Sequence, residues 1–164
     1  MTIDAHIHLY PASVYDNPSS WAEEWKEPYW LQCVSPSSGP KLQGWASVDE
    51  LLRDMDAAEI QQAIILGWYW ENASTCYENI SWQRNWIASH PDRLIAFAPF
   101  NAKGRAASID TLKQALECGF GGIGELNPPA QGYTYDNETL DLAIALAGEY
   151  DAPINFHVTD PASH

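Results

Sequence analysis

Basic residues are scarce in this sequence. Of its 164 residues, 8 are Lys or Arg and 22 are Asp or Glu, so the formal net charge at pH 7 is −14. A chain this acidic repels the phosphate backbone of nucleic acids unless its few cations are clustered, and here they are scattered along the sequence. We therefore expect no nucleic-acid partner.

Long apolar runs, a secretion signal and paired cysteines are also absent from the sequence. No window approaches the roughly 20 apolar residues that a membrane-spanning helix needs, and the first residues lack the basic start of a signal peptide. The three cysteines, Cys33, Cys76 and Cys118, are widely spaced, which favours free thiols in a reducing compartment. These features predict a cytoplasmic protein with no membrane partner.

Common nucleotide-binding and nucleophile motifs are missing as well. No Gly-x-Gly-x-x-Gly segment opens a helix after a strand, and the sequence contains neither a Walker motif nor a Gly-x-Ser-x-Gly elbow. Nucleotide cofactors and serine-based hydrolysis are therefore disfavoured.

What the sequence does contain is a regular alternation of short apolar runs and helical patterns. With 46% hydrophobic and 18% charged residues, it has the composition of one globular domain, which we assign to residues 1–164. Apolar runs without strict alternation are typical of parallel strands that are covered on both faces. The pattern predicts strands at 2–5, 62–67, 94–98, 120–125 and 153–158, and helices at 47–59, 75–89, 105–118 and 138–149.

This alternation predicts an α/β fold with a parallel sheet and right-handed crossovers. Five strands and four helices make just over half of a (β/α)8 barrel, which typically needs about 250 residues. We therefore expect the N-terminal portion of a TIM-like barrel and interpret the sequence as a fragment. A half-barrel completed by a partner and an open sheet are the alternatives.

Residues 10–46 interrupt the alternation with an aromatic-rich insertion. This stretch holds five prolines and several tryptophans, and we interpret it as a long loop that forms a lid or an active-site wall. We expect an apolar substrate pocket or, alternatively, packing of the loop on the barrel rim. The candidate substrate-binding residues are Trp21, Trp25, Trp30, Trp68 and Trp70, together with Asn127 and Tyr133, which follow strand four.

Histidines at strand ends are the sharpest chemical signal. His6 and His8 are two residues apart on a strand, so both imidazoles face the same way, and such a pair suits Zn²⁺ or a similar ion. His157 ends strand five and Glu125 ends strand four, where a barrel carries its active site. Asp4 precedes the histidine pair on the same face. It is a candidate metal ligand, catalytic carboxylate or hydrogen-bond partner of an imidazole.

Three segments carry a family resemblance: Ile3-Asp4-Ala5-His6-Ile7-His8-Leu9, then residues 122–128 and residues 153–159. Together they resemble the amidohydrolase superfamily, and most of all its amidohydrolase-2 branch of metal-dependent TIM-barrel hydrolases, which also includes decarboxylases. In order and spacing the resemblance covers nearly the whole chain, about the first five β/α units, apart from the insertion.

The resemblance implies a mononuclear or binuclear metal site. It assigns the strand-one ligands to His6 and His8 and the strand-five ligand to His157. Members also use a histidine from strand six and an aspartate from strand eight, which this sequence does not reach. Binuclear members bridge their metal ions with a carboxylated lysine or a glutamate from strand three or four. Because strand four has no lysine here, Glu125 is the candidate for a further ligand and for a catalytic carboxylate.

These features predict a metal-dependent hydrolase that attacks a small-molecule ester, amide or lactone carbon with metal-activated water. Zn²⁺ is the expected metal, with Mn²⁺ and Fe²⁺ as alternatives. Three other functions remain open: a non-oxidative decarboxylase on the same scaffold, a non-catalytic aromatic-rich binding module, and a pseudo-enzyme that only assembles with a partner. Unpaired edge strands also predict a homo-oligomer.

Overall fold

Five parallel strands form one curved sheet in this computed structural model, which describes residues 1–39 and 44–158. Neighbouring strands in the sheet follow the order of the chain, from β1 to β5. This is the N-terminal half of a TIM-like barrel, so the predicted fold class is confirmed. The strands are β1 (Ile3–Ile7), β2 (Gln62–Leu66), β3 (Leu94–Ala98), β4 (Gly122–Leu126) and β5 (Ile154–Phe156).

Residues 12–34 of the insertion are mostly helical, so the prediction of a long loop is wrong for this part. It contains α1 (Ala12–Tyr15), α2 (Pro18–Trp25) and α3 (Pro28–Val34). Pro18 and Pro28 occupy the first positions of α2 and α3, where the missing N–H costs nothing and the fixed φ angle suits a helix. Asn17 caps α2 by accepting a hydrogen bond from the backbone of Ser20. Two of the five prolines that suggested a loop therefore begin helices.

The four predicted helices are present. They are α4 (Val48–Ala57), α5 (Ala73–Ser89), α6 (Ala106–Glu117) and α8 (Glu138–Glu149). Ser47 and Glu50 form a capping box at the start of α4. A 3₁₀ turn at Ala102–Gly104 and a short helix α7 (Pro128–Gln131) were not predicted. Among the described residues, no helix has the length and apolar character to cross a membrane.

Four of the eight tryptophans pack together with a tyrosine in an aromatic cluster, which we define as Tyr10, Trp21, Trp30, Trp70 and Trp82. Trp30 and Trp70 are fully buried, and the ring centroids of Trp21 and Trp30 lie 5.0 Å apart. The indole of Trp70 donates a hydrogen bond to Asn79 on α5. The cluster therefore fastens the insertion to the end of β2 and to α5.

Two glycines let the sheet curve tightly at its carboxyl end. Gly67 follows β2 and exchanges backbone hydrogen bonds with β4, because its N–H donates to Gly124 (2.8 Å) and its carbonyl accepts from Glu125 (2.7 Å). These bonds bypass β3, which lies between the two strands. Gly124 has φ +139°, and a Cβ there would lie 2.7 Å from the carbonyl oxygen of Asn155. The backbone that carries Glu125 thus requires glycine beside it.

We expect Gly124→Ala to lower the free energy of unfolding by about 2–4 kcal/mol, because the added methyl group meets the backbone of β5 in a conformation that alanine disfavours. Urea denaturation followed by circular dichroism measures the change. The matched control is Gly148→Ala on α8, where a Cβ meets nothing within 4 Å and alanine raises helix stability by up to about 1 kcal/mol. Equal effects of the two substitutions would contradict the packing argument.

Candidate metal centre

Three potential metal ligands converge at the carboxyl end of the sheet. The Nε2 atoms of His6 and His8 lie 3.2 Å apart, and Oε2 of Glu125 lies 3.7 Å from the first and 3.2 Å from the second. Metal–nitrogen bonds of about 2.0–2.1 Å place the ligand atoms of a tetrahedral site about 3.3 Å apart. The two imidazoles and the carboxylate therefore fit a divalent ion in chemistry and in spacing.

His8 is oriented for metal binding by the neighbouring strand. Its Nδ1 lies 3.2 Å from the backbone carbonyl oxygen of Leu66 at the end of β2. A carbonyl oxygen only accepts hydrogen bonds, so this contact places the ring proton on Nδ1. Nε2 is then the ring nitrogen left to bind a metal ion, which is the arrangement usual for a metal-binding histidine.

Glu125 is nearly fully buried and joins both edges of the sheet. Its Oε2 faces His8, while Nδ1 of His157 lies 2.5 Å from Oε1. Burial by itself raises the pKa of the Glu125 carboxyl, but the hydrogen bonds and charges of His8 and His157 outweigh it and bring that pKa below its usual value. The carboxylate is therefore ionised at neutral pH, as a metal ligand must be.

His6 is the more exposed member of the pair, and its environment favours the neutral imidazole. Burial of the ring lowers the pKa of His6, and this effect together with repulsion from His8 and His157 exceeds the opposing attraction of Glu125. A neutral imidazole is the form that binds a metal ion.

The structure brings together four of the predicted site residues: His6, His8, Glu125 and His157. Asp4 is placed differently, because its Oδ1 accepts a hydrogen bond from the backbone N–H of His6. Among the described residues, its carboxylate does not join the group of potential ligands. The pairing of β1 with β2 is irregular between Asp4 and Ile7, so the simple two-residue alternation does not carry Asp4 to the same point.

Most of the predicted substrate-binding tryptophans do not line the site, and this corrects the sequence interpretation. Trp21, Trp30 and Trp70 are buried in the aromatic cluster, and Trp25 stacks on Trp21 at 5.8 Å between ring centroids. Trp68 does line the cavity beside the ligands, with its ring 5.2 Å from that of His8. Burial of these large aromatic side chains in the core is more favourable than their exposure on the cavity wall.

Asn127 and Tyr133 have structural partners instead of facing the metal ligands. Asn127 caps α7 by accepting from the N–H of Ala130, and its own N–H donates to the side chain of Gln131. The hydroxyl of Tyr133 donates to the same Gln131 oxygen. Gln131 in turn donates to the carbonyl of Phe100, so these residues fix the loop after β4.

The ligands open into a cavity of about 640 Å³. Two of its lining residues, Tyr29 and Cys33, were not among the predicted site residues. Tyr29 and Cys33 are four residues apart on α3, so the signal was a helical spacing within a stretch interpreted as a loop. The described lining residues are His6, Ile7, His8, Tyr29, Cys33, Gly44, Trp68, Tyr69, Glu125 and His157.

Sequence comparison gives a family match over most of the chain. The family model described as amidohydrolase, of the amidohydrolase-2 type, matches residues 3–164. No curated protein sequence matches this chain.

Several solved structures share the fold. A manganese-bound 5-carboxyvanillate decarboxylase from Novosphingobium aromaticivorans has a TM-score of 0.70 and 21% identity, over 99% of this chain and 51% of that one. A 2,6-dihydroxybenzoate decarboxylase from Rhizobium has a TM-score of 0.61 and 19% identity, over 98% and 50%. A 4-oxalomesaconate hydratase from Rhodopseudomonas palustris has a TM-score of 0.62 and 20% identity, over 96% of this chain and 52% of that one. The chain thus spans about half the length of these proteins.

We expect the protein to bind Zn²⁺ at neutral pH and to release it on acidification. Binding is expected to weaken by about tenfold or more between pH 7.5 and 5.5, because protons compete with the metal ion for the imidazole nitrogens. Competition with a chromophoric chelator measures the affinity. His8→Ala is expected to abolish binding, whereas the control Asp4→Asn keeps it. Unchanged binding in His8→Ala would rule out the site.

Proposed function

Because the chain belongs to the amidohydrolase family, we propose that it carries the first half of the active site of a metal-dependent hydrolase. The observation that supports this most directly is the convergence of His6, His8 and Glu125 at the carboxyl end of the sheet, where barrel enzymes keep their catalytic residues. A divalent ion bound there supplies an acidic water, with a pKa near ~7, and polarises a carbonyl group.

In this proposal different side chains bind the metal ion, orient its ligands and accept a proton. His6 and His8 bind the ion through their Nε2 atoms, and Leu66 keeps the proton of His8 on Nδ1. Glu125 contributes Oε2 to the same set, while His157 is the fourth proposed ligand group and holds Oε1 through Nδ1. As an ionised carboxylate, Glu125 is also the proposed acceptor for a proton of the attacking water.

The proposed substrate is a small ester, amide or lactone, and Zn²⁺ is the proposed metal, with Mn²⁺ or Fe²⁺ as alternatives. We also propose a cellular location and a mode of self-association. The free cysteines Cys33, Cys76 and Cys118 favour a reducing, cytoplasmic location. The outer strands β1 and β5 of the described sheet favour association through their edges, including a homo-oligomer.

A second candidate is a metal-dependent decarboxylase. It is favoured by the likeness of the fold to the 5-carboxyvanillate and 2,6-dihydroxybenzoate decarboxylases and by the aromatic side chains of Trp68 and Tyr69 on the cavity wall. For that reaction His6, His8 and Glu125 would hold a divalent ion, which would supply a binding point for the oxygens of an aromatic acid. Loss of CO₂ from the ring would be balanced by addition of a proton to the same ring carbon.

The two candidates are separated by what metal-loaded protein releases. We expect Zn²⁺- or Mn²⁺-loaded protein to hydrolyse members of a panel of aryl esters and lactones, measured by release of acid at constant pH. Release of CO₂ from 2,6-dihydroxybenzoate would instead favour the decarboxylase. In either case Glu125→Gln is expected to lower the rate at least ~100-fold, because a ligand and a proton acceptor are lost together. Loaded protein that turns over none of these compounds would contradict both candidates.

A further inference from the structure

The helical insertion reaches the metal centre through one face of α3. Tyr29 and Cys33 are four residues apart on this helix, which places them on the same side, and both line the cavity that holds His8 and Glu125. A neighbouring part of the wall comes from the end of β2, where the rings of Trp68 and Tyr69 stack at 4.3 Å between centroids. The ring centroids of Tyr29 and Tyr69 lie 6.1 Å apart.

Two carboxylates fasten α3 to the segment after β2, and we call Glu27 and Glu71 the carboxylate clamp. Glu27 precedes α3 and accepts hydrogen bonds from the backbone N–H groups of Glu71 (2.8 Å) and Asn72 (3.1 Å) and from the hydroxyl of Thr75 (2.6 Å). In return, Oε2 of Glu71 accepts from the backbone N–H of Tyr29 at 2.7 Å. Each segment therefore holds the other.

The clamp has further support from Asn72. Its side-chain amide donates to the carbonyl of Lys26 at 2.8 Å and to the Glu27 carboxylate at 3.2 Å. Glu27 is fully buried and, within the described residues, has no ion-pair partner. Its carboxylate lies instead at the N-terminal end of α5, where the helix dipole and the unpaired backbone N–H groups favour negative charge. Burial raises the pKa of the Glu27 carboxyl, and the hydrogen bonds from Thr75, Glu71 and Asn72 oppose this effect without cancelling it.

The wall that the clamp holds is uncharged. Burial raises the pKa values of Tyr29, Cys33 and Tyr69, so all three remain protonated at neutral pH. Among the described cavity-lining residues there is no lysine or arginine. The wall can therefore pack against a ring and donate single hydrogen bonds, but it offers no counter-ion for a charged group. The place for a substrate's anionic or metal-binding oxygen is at His6, His8 and Glu125.

We propose that α3 is the specificity-determining wall of the metal centre, and that Glu27 is the positioning residue that holds it. Tyr29 and Cys33 then contact the uncharged, planar part of a substrate whose oxygen atoms bind the metal. This inference rests on the proposed metal site, so its test separates the binding of the metal from the contact with the wall.

A pair of metal-binding probes with one headgroup makes this separation. Acetohydroxamate and benzohydroxamate bind a metal ion through the same two oxygens, but only the second carries a ring. With the Zn²⁺-loaded full chain, isothermal titration calorimetry is expected to show benzohydroxamate binding at least tenfold tighter. Tyr29→Ala is expected to reduce this ratio to less than threefold while acetohydroxamate binding stays unchanged. The control Tyr150→Ala, beyond α8 and outside the described cavity lining, keeps the full ratio.

Substitutions in the clamp test the positioning role of Glu27. Glu27→Gln points an amide donor at backbone N–H groups, and it is expected to lower the probe ratio as Tyr29→Ala does, with acetohydroxamate affinity within threefold of the wild-type value. The matched control Glu24→Gln changes an exposed residue of α2 and leaves the ratio unaltered. If Glu27→Gln does not fold, Asn72→Ala removes the side-chain amide of the clamp without removing a helix cap.

The outcomes separate the proposed metal site from the proposed role of α3. If Zn²⁺ or acetohydroxamate does not bind to the wild type, the metal-site proposal fails and the inference fails with it. If both probes bind with equal affinity, or if Tyr29→Ala keeps the tenfold ratio, the metal site is supported and the proposed role of α3 in specificity is refuted. If the clamp variants lose acetohydroxamate binding together with the ratio, Glu27 supports the fold as a whole and is not a positioning residue for α3.

Discussion

One buried carboxylate connects the two edges of this half-barrel. Glu125 lies on β4, yet its two oxygens face histidines that come from the opposite ends of the chain, His8 after β1 and His157 after β5. This contact requires a sheet that curls enough to bring β1 towards β4. The backbone bonds between Gly67 and residues 124–125 provide that curvature, and Gly124 permits it because a side chain there would collide with β5. The candidate metal centre and the curvature of the sheet therefore depend on the same short segment.

Two other carboxylates, those of the clamp, hold the insertion in place. Glu27 and Glu71 exchange hydrogen bonds between the insertion and the segment after β2, and the aromatic cluster fills the space behind them. The tryptophans that give this sequence its unusual composition thus support the wall of the site and mostly do not form its surface. An acidic chain uses its carboxylates here as acceptors for backbone N–H groups, where a lysine or arginine partner is not needed.

Several parts of the site could be predicted because they depend on local periodicity. The two-residue spacing of His6 and His8 and their place at a strand end are properties of the sequence, and the structure brings both imidazoles together with Glu125 and His157. Asp4 shows the limit of the same rule, since an irregular strand pairing and a hydrogen bond to the His6 backbone take its carboxylate elsewhere. Tyr29 and Cys33 escaped prediction because proline-rich segments were interpreted as a loop, although Pro18 and Pro28 begin helices.

The sequence by itself determined the order and type of the strands and main helices, the parallel sheet and the strand ends that carry the histidines. Apolar runs, capping residues and glycines act over a few residues, so they can be recognised without the fold. Only the tertiary structure decided which aromatic rings are core and which are wall, and that Glu125 is shared between two histidines. Those outcomes depend on the competition for buried volume and for hydrogen-bond partners between segments 40 or more residues apart, such as Glu27 with Asn72, and no local pattern records that competition.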